Sequence, residues 1–321
     1  MGCGPSYSSA SYNEAYKNRG YGHKSEHELF ENTRSAASKT QASSFNTKAR
    51  VSNTDVRPEM LNVGVRESRD TEDHKFKTPI VIAFDVTGSM SRRPEEMIKD
   101  QFPKLMDKLL QMGVRDPELL FLAIGDHECD EYPLQAGQFE ITTDKILDCI
   151  QDFYLEKGGG GNGGESYLLA WIMAGYHTET DSWYKHHRKG FLFTLGDEPN
   201  LNVVPGEDLE KFLGYERGAK EITAQEALQK AQEQYEVFHI HITNANHTTS
   251  QVERGWRGLV GDHFLTASST EVANVIADTI SEHYIPVDES VINSEVIEME
   301  ETPKENITPK EEEKEPPLRV L

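Results

Sequence analysis

Apolar residues along this chain fall into short continuous runs separated by helix-length stretches with a three-to-four-residue apolar period. Pro79-Ile80-Val81-Ile82-Ala83-Phe84 is one such run, and Leu119–Ile124, Gly190–Leu195 and Val237–Thr243 are three more. Runs of this length without alternation predict strands buried on both faces, as in a parallel sheet. Shorter strands are predicted at Gln138–Ile141 and His263–Thr266. Between the runs, Ile98, Phe102, Leu105, Met106 and Leu109 repeat at helical spacing, with Pro103 predicting a kink or break. Further helices are predicted at Asp144–Tyr154 (capped by Thr142 or Thr143), Tyr167–Tyr176 and Ala224–Gln234 (capped by Thr223). The last is marked by Val272, Val275, Ile276, Thr279 and Ile280 after Ser268 or Ser269.

Strands alternating with helices predict an α/β fold, with a doubly wound, mostly parallel central sheet covered by helices on both faces. In such sheets ligands bind beyond the carboxyl ends of the strands. Function is therefore expected in the loops after Phe84, Ile124, Leu195 and Thr243.

The pattern stops at both ends. Residues 1–76 have no sustained apolar period beyond a short candidate helix at Glu26–Ser38, and read as disordered or loosely attached. Residues 286–321 hold eleven acidic and four basic residues plus five prolines, a composition that buries no core. The folded domain is thus expected at 77–285. The formal net charge of −22 disfavours nucleic acid and anionic membranes as nonspecific partners and suits cations.

Cys3, Cys129 and Cys149 have no motif spacing, which fits a reducing, cytoplasmic setting. No apolar run reaches the length of a membrane-spanning helix, and no signal-peptide core is visible. Met1-Gly2-Cys3-Gly4-Pro5-Ser6 fits a myristoylation pattern on Gly2, with Cys3 open to a second acyl chain; the competing reading is a plain Gly/Ser-rich start.

The loop after the first apolar strand reads Asp85-Val86-Thr87-Gly88-Ser89-Met90 and offers a carboxylate and two hydroxyls at alternate positions. Hard divalent cations take such oxygen ligands. Asp85-x-Thr87-x-Ser89, after a buried strand and before a helix, resembles the metal-ion-dependent adhesion site of von Willebrand factor A-type domains, with Thr at the place of the usual middle Ser. The resemblance implies two more loops. One is the Gly-rich stretch Gly158–Ser166, where the usual Gly-Gly-x-Thr is absent and Asn162, Glu165 or Ser166 would stand in. The other is Gly196-Asp197-Glu198, where Asp197 follows a strand although the usual Thr-Asp-Gly order is altered. It also implies Mg²⁺ or Mn²⁺ as the ion, a protein partner that supplies a carboxylate to it, and an adaptor or scaffold role without enzymatic activity.

Gly125–Glu131 packs Asp126, Glu128, Asp130 and Glu131 into one loop, which reads as a solvated acidic loop, with a second cation site or a support for the first as the competing readings. His127 and Cys129 lack the second ligand pair that zinc needs. His239 and His241 share one strand face and read as hydrogen-bonded residues of a sheet–helix interface; His186-His187 reads as a solvated turn. Two rival functions remain: a metal-dependent hydrolase using the same loops, or a structural protein with a degenerate site. No Walker, G-x-S-x-G or H-E-x-x-H motif is present. Oligomeric state is not legible.

Overall fold

Ile80 to Phe84 have no solvent exposure at all, and neither have Leu120 and Leu122–Ile124 beside them. That double-sided burial is what the unbroken apolar runs demand. The computed structural model describes Glu14 and residues 58–61, 63–155 and 162–288. Its strands are β1 (Arg66–Ser68), β2 (Thr78–Asp85), β3 (Pro117–Ile124), β4 (Leu134–Ala136), β5 (Thr178–Thr180), β6 (Gly190–Gly196), β7 (Val203–Val204), β8 (Ile222–Thr223), β9 (Tyr235–Ile242) and β10 (Phe264–Ala267). Six of them form one sheet in the order β10-β9-β6-β2-β3-β4, parallel throughout except for the β3–β4 pair at one edge.

Besides the single turns Pro58–Leu61 and Arg93–Glu96, the described α-helices are α1 (Phe102–Gln111), α2 (Thr143–Gln151), α3 (Leu168–Tyr176), α4 (Asp181–Tyr184), α5 (Gly206–Leu213), α6 (Ala224–Gln234), α7 (Thr249–Val260) and α8 (Val272–His283). They cover both faces. Phe102, Leu105, Ile146, Ile150, Ile276 and Ile280 pack on the Ile80–Ile82–Phe84 face. Leu168, Trp171, Leu209, Leu228, Val252 and Trp256 pack on the Val81–Ala83 face. The fold is therefore the doubly wound, mostly parallel α/β sheet that the sequence predicts. From β2 the chain builds outward to β3 and β4, then returns to build β6, β9 and β10 on the other side. The order reverses between β2 and β6, and a crevice opens at their carboxyl ends.

Local departures have physical causes. Pro103 does not break its helix. The backbone before it widens into a π-turn, Met97–Gln101, between a first turn Arg93–Glu96 and α1, which accommodates the missing proline N–H. The strand predicted at Gln138–Ile141 lies earlier, as β4, and the later residues keep only a bridge between Leu119 and Glu140. Leu134 and Ala136 are the residues whose side chains reach the α3 layer. Beyond them Gly137 has Cys149 Sγ 2.4 Å from where its Cβ would sit, so no side chain fits there to continue the alternation. α2 stops at Gln151 because the buried Gln135 amide takes both the N–H and the carbonyl of Tyr154. Neither Ser268 nor Ser269 caps α8. Ser268 Oγ donates to Glu271 Oε2 at 2.9 Å and Ser269 Oγ to Glu96 Oε2 at 2.6 Å. Thr223 does cap α6, in a reciprocal box with Glu226.

The domain boundary expected at residue 77 moves towards the N-terminus. β1 pairs with β5, and Met60, Val63, Arg66, Ser68 and Phe76 are buried. Arg66 donates to the carbonyls of Gly137 (2.6 Å) and Glu59 (2.8 Å), while Ser68 and Lys77 both bond Glu118. The polar composition of 58–76 is consumed by these long-range contacts and does not mark a loose tail. Gly2, Cys3, the candidate helix Glu26–Ser38 and the acidic segment beyond Asp288 lie outside the described residues. Among the described residues no helix is long and apolar enough to cross a membrane.

Candidate functional site

Asp85 is the last residue of β2, so the sheet delivers its carboxylate to the crevice at the β2–β6 reversal. The side chain is fully buried. Its Oδ1 accepts from Thr87 N–H (2.8 Å) and Thr87 Oγ1 (2.6 Å), and its Oδ2 accepts from the Tyr167 hydroxyl (2.6 Å). Thr87 Oγ1 lies 3.3 Å from Ser89 Oγ, and Ser89 Oγ donates to Asp197 Oδ1 at 2.7 Å. Asp197, the first residue past β6, is also fully buried. Its Oδ2 accepts from His247 N–H at 2.8 Å and lies 3.3 Å from His247 Nδ1. One connected cluster thus holds Asp85, Thr87, Ser89 and Asp197.

The other predicted residues divide between two places. Glu165 is 3% exposed and its Oε2 has no hydrogen-bond partner. Its backbone is clamped to the segment after Asp197 by Glu165 N–H to Pro199 O and Leu201 N–H to Glu165 O, each 2.9 Å. Asn162 and Ser166 face the acidic loop after β3. Asn162 Nδ2 donates to Asp126 Oδ2 (2.7 Å) and Glu128 Oε2 (2.9 Å), and Ser166 Oγ accepts from His127 N–H (2.9 Å) and lies 2.7 Å from His127 Nδ1. Asp130 is tied back to the N–H of Asp126. The loop is therefore internally bonded and joined to the Gly-rich segment, and it is not a freely solvated turn.

The electrostatics are one-sided. Burial, and then the proximity of Asp197, push the Asp85 carboxyl up to about 7 against the hydrogen bonds from Thr87 and Tyr167. Burial pushes Glu165 up to about 10, with Asp85, Glu198, Asp130 and Asp126 adding to it. Asp130 is raised to about 6, again by burial first, and Glu198 is raised for the same cause. Burial holds the Tyr167 phenol well above its ordinary value, so it stays a proton donor. Among the described residues no lysine or arginine pairs with these acids; the basic neighbours of Asp197 are His247, which also approaches Glu198, and the buried His241. Carboxyls packed this closely, kept from water and with no lysine or arginine partner among the described residues, favour a cation.

Among the described residues no three His, Cys, Asp or Glu side chains converge as a ready cage. The donor set at Asp85 instead mixes two hydroxyls with carboxylates, the oxygen chemistry of a hard ion. The unpartnered Glu165 Oε2 is one buried acceptor such an ion would satisfy, so the residues present fit the group. His127 is turned onto Ser166 and the exposed Cys129 bonds Asp126, which gives no zinc site. His239 bonds Thr194 Oγ1 at 2.9 Å and stacks on Trp256 with 3.4 Å between ring centroids. His241, equally buried, meets no hydrogen-bond geometry at either nitrogen, contrary to expectation. His186 is also not solvated: it bonds Asp70 at 2.6 Å and packs on Phe76.

Three site residues were not singled out from the sequence. Tyr167 opens α3 directly after Glu165-Ser166, and Glu198 follows Asp197, so chain adjacency was the available signal. His247 comes from the loop after β9, which fold logic flags as a place for function without naming a residue.

No protein-family model matches the chain. No curated protein matches it either. It is similar to several solved structures. The vWF domain of the type V pili tip protein Mfa5 from Porphyromonas gingivalis is 11% identical, with a TM-score of 0.42 over 70% of this chain and 98% of that one. The pilus adhesin SpaC from Lactobacillus rhamnosus GG, in its open conformation, is 9% identical with a TM-score of 0.43. Proximal thread matrix protein 1 from the mussel byssus is 14% identical, with a TM-score of 0.41 over 67% of this chain and 47% of that one. The match covers 68% of this chain but only 31% of SpaC, so this protein spans about a third of that adhesin's length.

Proposed function

We propose that this protein is a divalent-cation-dependent protein-binding module whose site lies at the carboxyl ends of β2 and β6. Thr87, Ser89, Asp85 and Asp197 would hold a Mg²⁺ or Mn²⁺ ion, with Glu165 as the acid from the Gly-rich segment. Bound there, the ion supplies an open coordination position for a carboxylate from a partner protein. The observation that carries this reading is the Ser89–Asp197 hydrogen bond, which joins the two loops that the A-type resemblance nominates independently. Support comes also from the buried, uncompensated carboxyls of Asp85 and Glu165. Their protons occupy the place of positive charge that an ion would take.

The chain's own residues define the remaining roles. Tyr167, Thr87 and the His247 N–H orient the carboxylates, and α3 and α7 exclude water from behind them. The acidic rim of Glu128 and Glu198 repels an acidic partner until the ion is present, which makes capture cation-dependent. We read the site as one of binding, because its groups are acids and hydroxyls already held by hydrogen bonds to one another. The Asp126–Asp130 loop is joined through Asn162 and Ser166 to the segment that carries Glu165.

The test is calorimetric titration of Mg²⁺ and Mn²⁺ into the full chain, with Asp85→Ala as comparison. Binding that vanishes in the variant is the expected result. Equal binding by the variant would move the ion to the Asp126 loop and overturn the assignment. No binding by the native chain would leave a structural domain with a degenerate site.

A further inference from the structure

The one bare point on the site side of β6 is Gly196. A Cβ built there would lie 1.9 Å from the Tyr167 hydroxyl and 2.5 Å from Cζ. The phenol therefore rests on the strand backbone itself, and only glycine permits it. Trp256 and His239 hold the ring from the sides, each with centroids 5.3 Å away and near edge-on. So seated, the hydroxyl meets Asp85 Oδ2 at 2.6 Å and Glu198 N–H at 3.4 Å. A backbone N–H can only donate, so the phenol oxygen accepts from Glu198 and its single proton goes to Asp85. With Thr87 on Oδ1, both oxygens of Asp85 are oriented by the protein.

We infer that Tyr167 is a positioning residue of the cation site, its hydroxyl seated over Gly196 to fix the Asp85 carboxylate and to tie the helix that follows Glu165 to the first loop. The inference rests on the cation-binding reading above. Tyr167 contacts residues from all three loops at once: it follows Glu165 in the chain, bonds Asp85 at the end of β2, and takes the N–H of Glu198 beyond β6. It therefore sets how the acids of one loop face those of another before any ion arrives. This is the outer support that metal ligands ordinarily need. A plain core tyrosine would satisfy its hydroxyl on any acceptor and would leave ion affinity alone.

The experiment compares the full native chain with Tyr167→Phe, counting free Mn²⁺ by electron paramagnetic resonance and recording the spectrum of the bound ion. Trp171→Phe, one turn along the same helix and away from the site acids, controls for loosened packing. The expected result is a loss of Mn²⁺ affinity of about ten- to a hundred-fold in Tyr167→Phe, with an altered bound spectrum and a folded chain, and no such loss in Trp171→Phe. Gly196→Ala should reproduce the loss with the tyrosine still present, since the methyl displaces the phenol. Affinity in Tyr167→Phe within about twofold of native, while Asp85→Ala binds nothing, would overturn the positioning role and leave the cation reading intact. Absence of Mn²⁺ binding by the native chain would overturn both.

Discussion

Ser89 Oγ donates to Asp197 Oδ1 at 2.7 Å, a bond between residues 108 positions apart that closes the crevice between β2 and β6. It matters because Asp197 is fully buried and faces Asp85, another buried acid. Two substitutions at this bond should differ in their effect on the cation-free chain. Ser89→Ala leaves a buried carboxylate short of a donor and should cost about 1–3 kcal/mol. Asp197→Asn removes the repulsion but leaves one acceptor oxygen for two donors, Ser89 Oγ and the His247 N–H, so it should cost less than Ser89→Ala without the ion. Both should lose the stabilisation that excess Mg²⁺ confers on the native chain. Thermal unfolding with and without Mg²⁺ decides this. Equal destabilisation by both variants without the ion would mean that repulsion between the acids is minor.

Stability of the cation-free chain should fall as pH rises from mildly acidic to alkaline. Asp85 is raised from 3.8 to about 7, Asp130 from 3.8 to about 6 and Glu165 from 4.5 to about 10. Each binds its proton more tightly folded than unfolded. Between the unfolded and folded values the native state holds the extra proton, so the slope of stability against pH is negative. The stabilisation is complete below about pH 4 and is lost as pH passes about 7 and then about 10. Unfolding temperatures in chelator should therefore drop between about pH 6 and about pH 8.5, and Glu165→Gln, with no proton to lose, should flatten the drop. A midpoint that climbs steadily across that range would sink the electrostatic account of the site.

What the sequence made legible was local or periodic. The Pro79–Phe84 run marks the central strand because both faces of a parallel strand are apolar. Thr223 marks a helix start because a cap acts within its own turn. Asp85, Thr87 and Ser89 form one loop and could be read together, and Asp197 by its place after a strand. The rest depends on register. Tyr167 reaches Asp85 across 82 positions and His247 reaches Asp197 across 50; the only local signals were the place of Tyr167 after Glu165-Ser166 and that of His247 in the loop after a buried strand. α7 was missed although Val252, Trp256 and Val260 recur every fourth residue, since three apolar positions among polar ones make a narrow stripe. The Asn162 and Ser166 side chains went to the Asp126 loop because that loop, internally bonded by Asp130, offers carboxylates to the Asn162 amide and the His127 N–H to the Ser166 oxygen.

The segment at 58–76 gives the last prediction. Polarity made it read as a tail, but its polar groups bond partners far away: Arg66 to Gly137 across 71 positions and Asp70 to His186 across 116. Met60, Val63 and Phe76 are buried with it. Deleting everything before residue 77 removes three buried apolar side chains, worth about 1.5–3 kcal/mol each, and strips Glu118 of its Ser68 partner. The trimmed chain should therefore unfold at least about 10 °C below the full chain in a thermal melt. Melting within about 2 °C of the full chain would show the segment to be dispensable. The distinction bears on the site itself. A chain trimmed at 77 and half unfolded would bind no ion for reasons unrelated to Asp85, so the cation titrations require the segment that composition alone would have discarded.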